Sequence, residues 1–189
     1  MFMRYFRIAF VFGLALMIFA GCSKEEIQPD SLNVDDSALK SKSVKKKPDK
    51  LVPLKGVFEV KVIQVIQEKG PRIQIVAGEG NLSHLGRTEV SMTQYWRGPN
   101  PNLPDGAMRG GSGDGEITFV AANGDILKAS YYGTSIHWSL TSVEIDFVCT
   151  IVGGEGRFKD AKGDFSWKGQ YTPLPVNIGN ADVDGGINY

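Results

Sequence analysis

Hydrophobic and polar residues alternate along most of the chain from residue 51 onward. Phe58, Val60 and Val62 alternate with Glu59 and Lys61, which predicts a β-strand with one buried face. Similar alternation or a short apolar run predicts seven further strands. They cover residues 72–76, 88–95, 116–121, 125–132, 143–152, 164–171 and 186–189. No segment in this range keeps a helical period, so we predict an all-β domain over residues 51–189.

The turns between these runs agree with an antiparallel arrangement. Asn123-Gly124 separates two predicted strands, and this dipeptide favours a type I′ hairpin turn because both positions tolerate positive φ. Short strands at a spacing of roughly 8–12 residues are typical of a sandwich or a barrel. The alternation alone does not decide between the two.

The first 22 residues have the pattern of an export signal. Arg4 and Arg7 precede an apolar run, residues 8–19, that is too short for a permanent transmembrane helix but fits a signal-peptide core. Phe19-Ala20-Gly21-Cys22 follows and resembles the lipobox of bacterial lipoproteins, in which the cysteine is acylated. We therefore predict a lipoprotein signal peptide over residues 1–22 and a palmitate-type anchor at Cys22. The alternative is an ordinary secretory signal with a chance cysteine.

Residues 23–50 are predicted to be a disordered tether. They have no hydrophobic period and mix serine, aspartate and lysine, with a basic cluster at residues 45–47. Residues 23–26 resemble a surface-export signal of lipoproteins from the Bacteroidetes. Asp-Ser pairs at Ser31 and Ser37 resemble the O-glycosylation motif of that phylum. These features predict a membrane partner through Cys22 and a location at the outer membrane or the cell surface.

Composition excludes some functions and leaves others open. The chain has 21 basic and 21 acidic residues, and no basic stripe interleaved with aromatics, so nucleic acid is not an expected partner. Once Cys22 is acylated, Cys149 has no partner for an intramolecular disulfide. Because it lies in an apolar run, we predict a buried, unreactive thiol rather than a nucleophile.

Four segments resemble bacterial proteins similar to allene oxide cyclase. They are GEGNLSHLGR at residues 78–87, ITFVAANGD at 117–125, GGEGRFKDAKG at 153–163 and GINY at 186–189. The resemblance implies a closed antiparallel barrel of about eight strands. It also implies a structural role for Gly78, Gly80, His84, Gly86, Gly154 and Gly156, with a buried, neutral ring at His84. No catalytic residue of the plant enzymes can be transferred to this chain.

Two other segments invite a cofactor or metal interpretation. The glycine-rich residues 110–115 lack the lysine and the following helix of a phosphate loop, so we interpret them as bulges or turns. Residues 180–187 resemble the first half of a calcium loop but lack its bidentate glutamate, and we interpret them as a turn before the last strand. No cofactor and no metal are predicted. Glu79 and Glu89 could both face a barrel lumen.

Aromatic density gives the candidate ligand site. We expect the side chains to cluster at one barrel mouth, with residues 97–115 forming a long loop across it. The candidates are Trp96, Tyr131, Tyr132, His137 and Trp138.

Three functions remain open at this point. The first is a lipid-anchored barrel that binds a small apolar or amphipathic molecule without catalysis. The others are a cyclase or isomerase acting in the lumen, and a structural envelope lipoprotein with a filled barrel. A recognisable catalytic constellation is missing from the sequence, which favours binding over catalysis without excluding an enzyme. A hollow lumen would distinguish the binding module from the filled barrel.

Overall fold

A computed structural model describes residues 50–67, 70–173 and 175–189. Eight strands make up most of this part of the chain, with one short 3-10 helix, Gly156–Phe158, after the sixth. The strands are β1 (Val52–Ile66), β2 (Arg72–Leu82), β3 (Gly86–Pro99), β4 (Arg109–Ala121), β5 (Ile126–His137), β6 (Val143–Glu155), β7 (Lys162–Thr172) and β8 (Ile178–Asn188). Among the described residues, no helix has the length and apolar character needed to cross a membrane.

The strands form a closed antiparallel barrel in chain order. Each strand pairs with the next, and β1 pairs with β8 from Val52 opposite Ile187 to Lys61 opposite Ile178. Closure gives every strand two hydrogen-bonded neighbours, so no sheet edge is left unpaired. The predicted fold class, an all-β chain with an eight-stranded antiparallel barrel, is confirmed.

The barrel has two different ends. β1 begins and β8 ends at one of them, where the connections after β2, β4 and β6 also lie; we call it the closed end. The connections after β1, β3, β5 and β7 lie at the opposite end, which we call the open end.

Aromatic side chains fill the interior toward the closed end. Phe119 is fully buried, and its ring centroid lies 5.5 Å from that of Phe58, 5.9 Å from Phe165 and 6.2 Å from Trp167. We call these four residues the aromatic cluster. Between it and the closed end, further side chains are buried at Leu54, Leu82, Leu127, Phe158 and Ile187. This half of the barrel is therefore filled by its own side chains.

The β4–β5 hairpin is confirmed, but its turn differs from the predicted type. The Ala121 amide donates to the carbonyl oxygen of Asp125, and the Gly124 amide donates to that of Ala121, both at 2.9 Å. Only Gly124 takes a positive φ, of 88°, whereas a type I′ turn needs two such residues. The Asn123 side chain instead accepts a bond from the Asp125 amide at 3.2 Å, which stabilises a longer loop.

Two loop predictions were wrong because the strands extend further than expected. β3 continues to Pro99 and β4 begins at Arg109, so the connection between them is residues 100–108 rather than 97–115. Residues 180–187 lie inside β8 and do not form a turn. In β8, Ala181 and Val183 are buried while the polar residues between them face outward, which is the period-two pattern of a strand.

The aromatic cluster should dominate the stability of the barrel. We expect Phe119→Ala to lower the free energy of unfolding by about 3–5 kcal/mol, because it leaves a cavity among three aromatic neighbours. Tyr132→Ala is the matched control, since Tyr132 lies on the outer face of β5 and should cost less than about 1 kcal/mol. Urea unfolding measures both variants, and equal losses would contradict this account of the core.

Candidate functional site

The open half of the barrel contains a cavity of about 760 Å³. This volume is within the range of about 300–1,000 Å³ that is typical of small-molecule sites. All eight strands contribute to its wall, and Trp167 of the aromatic cluster forms part of its floor. Other apolar side chains in the deep wall are Val60, Val76, Met92 and Ala181. The lumen is thus filled at one end and hollow at the other.

Apolar side chains continue from the wall to the rim. Val62, Val143 and Ile145 line the cavity nearer its mouth. Ile63 and Leu140 line the mouth itself, and they are 63% and 72% exposed. Exposed apolar side chains that border a concave site are typical of binding surfaces.

The glycine-rich part of β4 gives aromatic rings room along the wall. Gly111, Gly113 and Gly115 occupy successive inward positions of this strand. A β-carbon at Gly111 or Gly113 would lie 3.1 or 3.2 Å from the Trp96 ring, and one at Gly115 would lie 2.7 Å from the Tyr131 hydroxyl. These glycines let two large rings lie against β4. The predicted turn at residues 110–115 was wrong, because these residues lie within β4. The pairing with β3 does have a register shift between Trp96 and Gly98, opposite Gly113 and Ser112, which is typical of a bulge.

Polar side chains inside the cavity fix the orientation of the Trp96 ring. Gln74 and Gln94 lie directly opposite each other on β2 and β3, and both are buried. The Gln74 side-chain oxygen accepts a hydrogen bond from Nε1 of Trp96 at 2.6 Å. This bond pairs the partly buried indole N–H with the buried side-chain oxygen of Gln74, and it holds the indole against the wall.

Three basic side chains line the cavity at its mouth. Arg72 and Arg109 are the first residues of β2 and β4, and His137, the last residue of β5, pairs in register with Arg109. Burial lowers the pKa of His137, and the positive charges of Arg109 and Arg72 lower it further. The imidazole is therefore neutral at pH 7. Its Nδ1 is buried and has no hydrogen-bond partner in the described part of the chain.

Asn177, in the loop between β7 and β8, joins that loop to β1 by a side-chain hydrogen bond at one side of the mouth. It takes a positive φ of 59°. Its side-chain nitrogen donates to the carbonyl oxygen of Val62 at 2.5 Å, and its side-chain oxygen accepts a hydrogen bond from the Tyr171 hydroxyl. Both Tyr171 and Asn177 line the cavity, so these bonds define the shape of the wall at this point.

Two of the five candidate ligand residues, Trp96 and His137, lie together in the cavity wall. Tyr131 is buried in the wall of β5, where its ring stacks on Phe147 at 4.6 Å and its hydroxyl donates to the Thr93 carbonyl at 3.2 Å. Burial raises the pKa of the Tyr131 hydroxyl, so it stays protonated.

The other two candidates do not line this cavity. Tyr132 is 65% exposed on the outer face, because neighbouring residues of a strand face opposite sides. Trp138 lies in the β5–β6 connection and is 38% exposed, and it is not among the lining residues. The five side chains thus do not form the single cluster that we expected.

Sequence reasoning missed the polar groups of the cavity. Arg72, Gln74, Gln94, Arg109 and Ser135 were not candidates, although all five line it. Gln94 carried a usable signal, since it follows Thr88, Val90 and Met92 at the inward period of β3.

The glycines of the family motif make close approaches within β2. Gly78 and Gly80 occupy inward positions of that strand. A β-carbon at these positions would lie 2.8 Å from Val60 Cγ1 and 2.7 Å from Phe58 Cδ1, so any side chain there would displace the core of β1.

The remaining motif residues lie in or beside the connections of the closed end. His84, in the β2–β3 turn, and Gly86, the first residue of β3, have positive φ values of 69° and 72°. The His84 ring is half-buried rather than buried as expected, and its Nε2 lies 2.9 Å from the carbonyl oxygen of Pro53. Gly154 lies against the backbone of Ile126, and Gly156 opens the 3-10 helix with a φ of 64°.

The structure also shows where the two glutamates that could have faced the lumen lie, and how far Cys149 is buried. Glu79 and Glu89 face outward opposite each other, and Glu79 pairs with Arg87 at 2.9 Å. Burial raises the pKa of the Cys149 thiol to about 12, which fits the predicted unreactive thiol. The described residues contain no group of three or more histidine, cysteine or acidic side chains that could hold a metal ion.

Several predictions lie outside the described residues. They concern the signal peptide over residues 1–22, the anchor at Cys22, the tether up to residue 49, and the candidate glycosylation sites Ser31 and Ser37.

The comparisons with known proteins give no family for this chain. No family model matches it, and neither a curated protein nor a solved structure has significant similarity to it. The motif resemblance to allene oxide cyclase-like proteins therefore has no independent support, and the barrel itself is what the structure shows.

The state of Cys149 can be tested by thiol labelling. At pH 8 the raised pKa lowers the thiolate fraction about a thousandfold below that of an ordinary thiol, and burial blocks access as well. We expect no labelling of the folded Cys22→Ala variant by a disulfide reagent within minutes, and rapid labelling in guanidinium. Fast labelling of the folded protein would show that Cys149 is accessible.

Proposed function

We propose that this protein is a non-catalytic binding module that holds a small apolar or amphipathic molecule in the open half of its barrel. The observation that carries this proposal is the cavity of about 760 Å³ above the aromatic cluster. An eight-stranded barrel either fills its interior with side chains or keeps room for one small ligand. In this barrel the closed half is filled with side chains, and the open half keeps room for a small ligand.

The chemistry of the wall supports an apolar or amphipathic ligand. Apolar side chains extend from the floor to Ile63 and Leu140 at the mouth, so a ligand would cover surface that is otherwise in contact with water. Trp96 offers a large aromatic surface whose orientation the bond to Gln74 fixes in advance. A few oriented polar groups in an apolar cavity are typical of small-molecule sites.

Binding is favoured over the two other functions. A purely structural barrel needs no cavity of this size, because filling it with side chains would add stability. A cyclase or isomerase needs groups that transfer protons, and among the described lining residues only His137 and Tyr171 are of the types that commonly do so.

We further propose that the domain is held at the outer membrane or the cell surface by an acylated Cys22, through the tether of residues 23–50. The lipobox-like sequence supports the anchor. The first strand of the barrel, β1, begins at the closed end. Within this proposal, the resemblance to allene oxide cyclase-like proteins concerns the barrel alone.

The cavity can be tested with a neutral naphthylamine dye such as N-phenylnaphthylamine, whose fluorescence rises in apolar surroundings. We expect saturable binding to the folded protein. Ile145→Phe should weaken this binding about tenfold, or by about 1.4 kcal/mol, because the larger side chain occupies the cavity.

Val148→Phe is the matched control, since Val148 lies on the outer face of the same strand. It should leave dye binding within about twofold of the unchanged protein. If the unchanged protein shows no saturable binding, or if the two variants lose affinity equally, the dye is not reporting this cavity and the proposed function fails.

The anchor has a separate test. Cys22→Ala should abolish palmitate labelling and move the protein from the membrane fraction to the soluble fraction, because no other residue supplies the acylated cysteine of the lipobox. Cys149→Ala is the control and should keep both the label and the membrane association. Labelling that persists in Cys22→Ala would contradict the lipoprotein assignment.

A further inference from the structure

The mouth of the cavity has a one-sided charge distribution. Arg72 and Arg109 are its charged lining residues, and no aspartate or glutamate is among the described residues that line it. The two arginines begin β2 and β4, the strands on either side of β3, so they flank the strand that carries Trp96. The cavity is thus apolar at its floor and cationic at its mouth.

Acidic side chains of β4 and β6 lie on the outer face of the barrel and not in the cavity. Asp114 of β4 is paired with Arg97 at 2.6 Å, and Asp146 of β6 is paired with Lys168 at 3.0 Å. These carboxylates neutralise cations of the outer surface. Within the described part of the chain, neither Arg72 nor Arg109 forms an ion pair.

His137 adds a polar contact at the same place. It pairs in register with Arg109 and lines the same cavity as both arginines, and its pKa is lowered first by burial and then by the positive charges of Arg109 and Arg72. Its buried Nδ1 has no partner in the described part of the chain, which leaves it available to a ligand atom. In the tautomer protonated at Nδ1, it can donate a hydrogen bond.

We propose that the cavity selects organic anions with an apolar body, and that Arg72 and Arg109 bind the anionic head at the mouth while the body extends toward Trp167. This inference rests on the proposed function and adds the chemical class of its ligand. Guanidinium groups bind carboxylate, sulfonate and phosphate heads through paired hydrogen bonds. Because both arginines are exposed, their contribution should weaken as salt is added.

Three molecules with one chain length and different heads test the charge preference. Decanoate, decanol and decylamine are titrated at neutral pH against the protein carrying the neutral dye, and the displacement of the dye gives their affinities. We expect decanoate to bind about tenfold more tightly than decanol, and decylamine to bind most weakly. The advantage of decanoate should shrink at high salt.

The double variant Arg72→Gln/Arg109→Gln assigns the preference to these side chains. It should lose the tenfold advantage of decanoate over decanol. Saturable dye binding by the same variant shows that its cavity is still formed. Arg87→Gln is the control, because Arg87 is exposed near the closed end and pairs with Glu79 outside the cavity. It should keep the advantage.

The outcomes separate this inference from the proposed function. Equal binding of decanoate and decanol by the unchanged protein, or a preference that survives in the double variant, would overturn the charge selection and leave the cavity as an apolar site. If neither the dye nor any of the three molecules binds, both proposals fail.

Discussion

The interior of an eight-stranded barrel is only about as wide as the side chains that point into it. A cavity can form only where inward positions carry small residues or where large side chains lie along the wall. Both conditions are met along β4. Its inward positions carry Gly111, Gly113 and Gly115, which present no side chain to the lumen. The Trp96 and Tyr131 rings lie against these glycines. Aromatic surface is thereby added to the wall while the centre of the open half stays empty.

Because of this constraint, the closely packed core and the cavity occupy different halves of the barrel along its axis. Phe58, Phe119 and Trp167 pack toward the closed end, and the buried aliphatic residues of that end cover them from below. The open half gives up packing contacts that its strands could have made, which agrees with the proposed binding function. Because Trp167 belongs to the aromatic cluster and to the cavity floor, the proposed ligand would rest on the closely packed half of the barrel. A rigid floor preserves the shape of the site before the ligand arrives.

Strand number, direction and most strand positions follow from the sequence, since alternation in a half-buried strand has a period of two. The sequence does not predict which residues of β2 face the lumen. Ile73 and Ile75 have the composition of a buried face, yet Gln74 and Val76 point inward and are buried. A hydrophobic pattern predicts the strand face that packs on an apolar core. Where the lumen is lined by polar side chains, the same pattern predicts the wrong face as the inward one. In β4 the inward glycines have no hydrophobic pattern, so the strand was missed over residues 110–115. Closure of the barrel, which pairs β1 with β8, likewise has no local signature.

Strand alternation also explains the charge distribution of the mouth. Along β4, Asp114 is an outward residue and bonds to Arg97 on the outside, whereas Arg109 shares the inward parity of Gly111 and lines the cavity. Along β2, Arg72 has the parity of Gln74 for the same reason. A carboxylate on an inward position would neutralise these arginines, and its burial would be costly. Placing acids outside and arginines at the mouth leaves a positive potential over an apolar cavity, and water around the exposed guanidinium groups limits its cost to the folded state.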